Sequence, residues 1–180
     1  MEEFALQAFI YEIQHQCKFA DLAFQDIVSA LRESTAGEST ADRVFLAAHT
    51  FLVAVGNISK LLWPTKRSCA ARGHELRELL QVGDGSVLKS RAFRNHFEHF
   101  DERLDKWANS SKHKNFADSN IGPPEFISGL DPEDWMRNLD PTSLTLTFHG
   151  DSYHILEIME ALKPICAASQ RKTQGLSCTG

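Results

Sequence analysis

The chain reads as mainly α: an up-and-down helical bundle with a small β-hairpin before its last helix. Three observations predict this. Apolar residues recur at three- and four-residue spacing through the first 110 positions, the mark of helices with a buried face. Short polar or Gly/Pro breaks cut that stretch into four segments, as antiparallel helical neighbours require. Residues 144–148 (Leu-Thr-Leu-Thr-Phe) alternate apolar and polar and are rich in Thr, which suits a half-buried strand.

The first helix is expected from residue 2 to about 34. Phe4, Ala8, Tyr11, His15, Lys18 and Leu22 trace one face, while Leu6, Phe9, Ile10, Ile13, Cys17, Ala20, Phe24, Ile27 and Leu31 trace a broad apolar one. A polar stretch, residues 34–40, ends it. Thr40 is the expected N-cap of the next helix, and Arg43 at the third helical position leaves the capping box incomplete. That second helix, from about 41 to 62, is apolar on most sides, as suits the centre of a bundle or a subunit interface. Trp63-Pro64 stops it, because a residue before proline disfavours the helical region. His49 within it reads as a core histidine rather than a ligand. A shorter helix over about 68–82 buries Leu76, Leu79, Leu80 and Val82, with Gly83 as its left-handed cap. Ser86 then caps a fourth helix running to about residue 110.

Residues 111–143 are punctuated by Gly122-Pro123-Pro124, Gly129, Asp131-Pro132 and Asp140-Pro141. They read as a long irregular insertion anchored by Trp135 and Met136. Gly150-Asp151 turns the chain from the strand at 144–148 into a return strand at 152–154. The last helix spans 155 to about 169, with Pro164 kinking it or ending its regular part, and 170–180 reads as a flexible tail. The whole, residues 1–180, suits one domain.

Bulk properties narrow the function. The net charge of −5 excludes a protein that coats nucleic acid non-specifically and leaves room for a local basic site. Cationic residues gather at Lys66, Arg67, Arg72 and Arg77 and at Lys106, Lys112, His113 and Lys114, and read first as solvated surface. No apolar run approaches the roughly 20 residues of a membrane span, so no membrane partner is expected. The acidic start Met1-Glu2-Glu3 is unlike a signal peptide. Cys17, Cys69, Cys166 and Cys178 form no C-x-x-C pair, so neither a metal site nor a disulfide framework is expected. They read as reduced thiols of a cytoplasmic protein.

The fourth helix carries the most chemistry. Phe93, Phe97, Phe100, Leu104 and Trp107 fall in one narrow stripe, while Arg91, Asn95, Glu98, His99, Glu102 and Lys106 occupy the opposite face. Arg94 and His96 sit on its two shoulders. Arginine, asparagine and histidine bind phosphate and carry protons, where a merely solvated face would favour Lys and Glu.

Arg94-Asn95-x-x-x-His99 resembles the R-x(4–6)-H signature of the HEPN domain family, in which the residue after the Arg is often Asn, Asp or His. The resemblance extends to a long helical N-terminal part, and to a strand-like segment and last helix after the motif, so it covers most of the chain. It implies a homodimer whose motif helices line one groove, and a metal-independent endoribonuclease with RNA as substrate and no cofactor. It also implies a toxin or defence setting, with an antitoxin or other regulatory protein as partner. Arg94 and His99 would be catalytic; Asn95, Arg91 and His96 would orient or bind substrate. The family also includes non-catalytic modules that bind RNA, a nucleotide or a protein. Some members carry a Tyr two residues after the motif His, which a nucleotidyltransferase antitoxin modifies; Asp101 stands there in this chain, against that subgroup.

The residues suit the chemistry. His99 can exchange a proton near neutral pH, and Arg94 offers a planar fork that matches phosphate oxygens and keeps its charge. Asn95, at i+4 to His99, can orient the imidazole or bond a phosphate oxygen. Five residues apart, Arg94 and His99 diverge by roughly 140° on a straight helix. Two copies related by a two-fold axis can converge where one cannot. Against this, Arg94 can pair with Glu98 or Asp101 for a few tenths of a kcal/mol, and Glu98 puts negative charge beside a phosphate. His96 and His99 at i+3, near Glu98 and Glu102, hint at metal. One helix cannot close a coordination shell, so no metal is expected.

Overall fold

The computed structural model describes residues 2–33, 38–90 and 100–176. Among them are five α-helices: α1 (Glu3–Arg32), α2 (Glu38–Leu62), α3 (Ala70–Leu80), α4 (Phe100–Ser110) and α5 (Ile155–Leu176). A four-stranded sheet precedes the last helix: β1 (Asn120–Ile121), β2 (Arg137–Asp140), β3 (Thr145–Phe148) and β4 (Asp151–His154).

The α1–α2 pair is the centre of the molecule. The chain returns after α1, so Gln16 of α1 meets Asn57 of α2, whose Nδ2 donates to Gln16 Oε1 at 3.2 Å. Ile13, Ile27, Val44, Phe51, Ile58 and Leu62 between them are fully buried, each worth about 1.5–3 kcal/mol relative to exposure. The broad apolar face expected along α1 is the one that packs on the core, while Phe4, Tyr11 and Leu22 on the other face stand in solvent. Thr40 lies inside α2 rather than capping it, because the helix begins two residues earlier, at Glu38.

Trp63-Pro64 ends α2 as expected, and α3 packs across that end. A Cβ on Gly73 would lie 2.8 Å from the Leu62 carbonyl oxygen and collide with Pro64, so the bare backbone is what allows this close approach. Arg77 Nη1 donates to the Leu62 carbonyl at 2.5 Å, satisfying an acceptor left open at the helix end. Gln81, not Gly83, takes the left-handed position after α3 (φ 57°), with its N–H reaching the Arg77 and Glu78 carbonyls. Ser86 does act as a cap, but of a single 3-10 turn, Val87–Lys89, accepting from the Leu88 N–H at 3.3 Å.

The last helix, α5, lies along α1 and runs to Leu176, past the expected end near 169 and through Pro164. Cys17 of α1 and Cys166 of α5 are joined by a disulfide, their Cα atoms 5.7 Å apart. This corrects the expectation of unpaired thiols. Spacing in sequence could not reveal it, since the partners lie 149 positions apart on different helices.

The insertion is more ordered than its composition suggests. Residues 111–143 supply β1, parallel to β2, and β2 itself, antiparallel to β3. The expected hairpin, β3–β4, is therefore half of a larger sheet. Arg137-Asn138-Leu139-Asp140 shows no apolar alternation because Leu139 alone supplies a large buried side chain; β3 selects it by pairing. Met136, fully buried, anchors the segment. The β3–β4 turn is His149-Gly150, with φ of 44° and 89°, one residue earlier than expected. Two left-handed residues are what a tight two-residue hairpin requires.

Candidate functional site around the N-terminus of α4

The motif residues Arg91, Arg94, Asn95, His96 and His99 lie outside the described residues. The helix that begins directly after them is described, and its anchoring fixes where the motif joins the fold. Arg103 of α4 donates from Nη2 to Asp151 Oδ2 of β4 at 3.1 Å, with its guanidinium carbon 5.2 Å from the centre of the Phe148 ring. One turn on, Trp107 Nε1 donates to the Asn115 carbonyl at 2.8 Å and its ring meets Phe116 edge-on at 4.9 Å. At the helix end Ser111 Oγ donates to Asp134 Oδ1 at 2.6 Å. Asp134 is almost wholly buried. The Ser111 hydroxyl, with the Asp131 N–H and Asn115 amide, holds its carboxyl below the ordinary range against the opposing effect of burial. Three successive turns of α4 are thus tied to the sheet and the insertion.

His149, at the tip of the β3–β4 turn, faces this arrangement. It is 8% exposed, and its Nε2 is buried without a hydrogen-bond partner. Burial lowers its pKa, and the charges of Lys106 and Arg103 lower it further; Asp151 and its own backbone carbonyl act in the opposite sense. Compared with family models, curated proteins and solved structures, the chain matches none.

The sequence reading gave Lys106 to the polar face of the motif helix but passed over Arg103 and His149. Arg103 carried a usable signal, since it follows His99 at i+4. His149 carried only its place before Gly150, which reads as turn chemistry. Among the remaining candidates, His49 lies at the α2 surface rather than in the core. Its pKa is lowered by partial burial and then by the charge of Arg137. Arg72 lies over the Phe9 ring at 4.8 Å, and Arg77 holds the end of α2, so two cations of the residue 66–77 cluster serve packing. Among the described residues no three His, Cys, Asp or Glu side chains gather as a metal site would require.

Elsewhere, α1 and α2 form a groove of about 430 Å³, lined by Phe19, Leu22, Leu46, Asp26, Arg43 and Thr50. Leu46 is 69% exposed and Leu22 57%.

Proposed function

We propose that the protein is a cytoplasmic, HEPN-type, metal-independent endoribonuclease that acts as a homodimer, in a toxin or defence setting under an antitoxin or other regulatory protein. The observation that carries this reading is the Arg94-Asn95-x-x-x-His99 motif on the segment leading into α4. It is supported by the mainly helical chain with its small sheet before the last helix, and by the uncovered apolar α1–α2 face, on which a second copy can pack.

In the proposed reaction His99 of one protomer removes the proton of the RNA 2′-hydroxyl, which attacks the adjacent phosphorus. Arg94 of the other protomer holds the extra negative charge of the phosphorane, and the protonated His99 returns its proton to the departing 5′-oxygen. The products are a 2′,3′-cyclic phosphate and a free 5′-hydroxyl. Asn95, Arg91 and His96 orient the imidazole and the neighbouring phosphate.

Incubation of the purified protein with mixed RNAs in EDTA tests this. Cleavage is expected, with Arg94→Ala and His99→Ala each lowering the rate by about 10²- to 10⁴-fold. Intact RNA from a dimeric protein would sink the nuclease reading. It would leave the catalytically inactive HEPN-like dimeric module, which Glu98 inside the motif favours through its repulsion of phosphate.

A further inference from the structure

The Cys17–Cys166 bond is not sealed inside the core. Between α1 and α5 lies a cleft of about 390 Å³ whose walls include both cysteines together with Lys18, Lys163, Met159 and Gln170. That volume falls in the range of small-molecule sites. Cys17 is 6% exposed and Cys166 is only partly buried, so Cys166 is the one that an incoming group reaches first. Lys18 follows Cys17 directly, and Lys163 precedes Cys166 by three positions, one turn back on the same helix. Ammonium groups beside a cysteine favour thiolate over thiol, and thiolate is both the attacking and the leaving species in disulfide exchange. Lys163 also pairs with Glu160 and Asp21 lines the same cleft, so the cleft is mixed in charge rather than strongly cationic. The helix backbone is weakest here as well. Pro164 lies inside α5, two positions before Cys166, and its ring nitrogen has no hydrogen to offer the carbonyl of Glu160. The turn that carries Cys166 therefore leans on its bond to α1.

We propose that Cys17–Cys166 is a reversible thiol-exchange site, opened by a low-molecular-weight thiol that enters the α1–α5 cleft. The thiolate of the small molecule attacks Cys166 Sγ, a mixed disulfide forms there, and Cys17 leaves as thiolate. A second small thiol then attacks the small molecule's sulfur and releases Cys166 as thiolate. Two thiols become one small disulfide, and the protein takes up the two electrons and two protons they give up. Opening unpins the C-terminal part of α5 from α1. The inference stands apart from the nuclease reading, since it needs neither RNA nor Arg94 and His99.

The test exposes the oxidised full chain, in native buffer, to reduced glutathione at rising concentrations. Free thiols are alkylated at intervals and located by peptide mass, which separates Cys17 and Cys166 from Cys69 and Cys178. Tenfold more thiol is expected to open the bond about tenfold faster, with the glutathione adduct on Cys166, and oxidised glutathione should close it again. A rate independent of thiol concentration would mean that the protein must first unfold, and overturns the site. So does a pair that oxidised glutathione fails to close. An adduct on Cys17 overturns the order of attack. Gln170 is exposed and one turn past Cys166, where a helical side chain leans back over the preceding turn. Gln170→Trp should therefore slow opening several-fold, and an unchanged rate overturns the route through the cleft. Opening by a dithiol protein while glutathione stays inert overturns the small thiol in favour of a protein reductant. Amide exchange in residues 164–176 should quicken once the bond is open; unchanged exchange there overturns the unpinning of α5.

Discussion

His149 takes a left-handed backbone conformation (φ 44°), where asparagine and histidine are among the few side chains tolerated, and is buried. Its pKa in the folded protein lies below the ordinary 6.5, so the unfolded chain binds the proton more readily. Stability from this group is complete above about pH 6.5 and is lost as pH falls from there through the folded value. His49 is depressed in the same direction and adds to the effect. Thermal melts taken from pH 7.5 down to 5.5 should therefore show a falling Tm. His149→Asn, which keeps the turn conformation, should remove part of that slope. A slope identical to that of the parent protein would mean that the imidazole is not buried as neutral base. None of this was legible in Phe148-His149-Gly150-Asp151. The turn was, within one residue, but the burial of the ring depends on tertiary packing that no local pattern reveals.

Among the elements, α1 and α2 follow almost directly from the sequence because their apolar periodicity is long and their stops are chemical: a polar loop and Trp63-Pro64. Strand β2 does not, because four residues with one large apolar side chain become a strand only when β3 offers hydrogen bonds. The link between α1 and α5 was equally hidden. The Cys17–Cys166 bond closes a loop of 149 positions, and restricting so long a loop in the unfolded chain is worth about 4–5 kcal/mol. A cytoplasmic setting, part of the proposal, would hold the pair as thiols. Oxidised protein should melt well above protein kept in dithiothreitol, and Cys166→Ser should match the reduced form in either condition. Equal melting temperatures with and without reductant would show that the two helices do not depend on the bond.

At the scale of the whole molecule, α1 and α2 form a groove lined by Phe19, Leu22 and Leu46 beside Asp26, Arg43 and Thr50. The mainly helical class and the position of the sheet were legible from periodicity. So was the buried face of α1, the set Leu6 through Leu31. The proposed function turns on symmetry, because residues five apart, such as Arg94 and His99, would diverge by roughly 140° on a straight helix. Mixing separately inactive Arg94→Ala and His99→Ala proteins, unfolded and refolded together so that subunits exchange, tests it directly. The account predicts that the mixture regains RNA cleavage in EDTA, because each mixed dimer keeps one Arg94 and one His99 from opposite protomers. A mixture that stays as inactive as either variant alone, with mixed dimers demonstrably present, would contradict it.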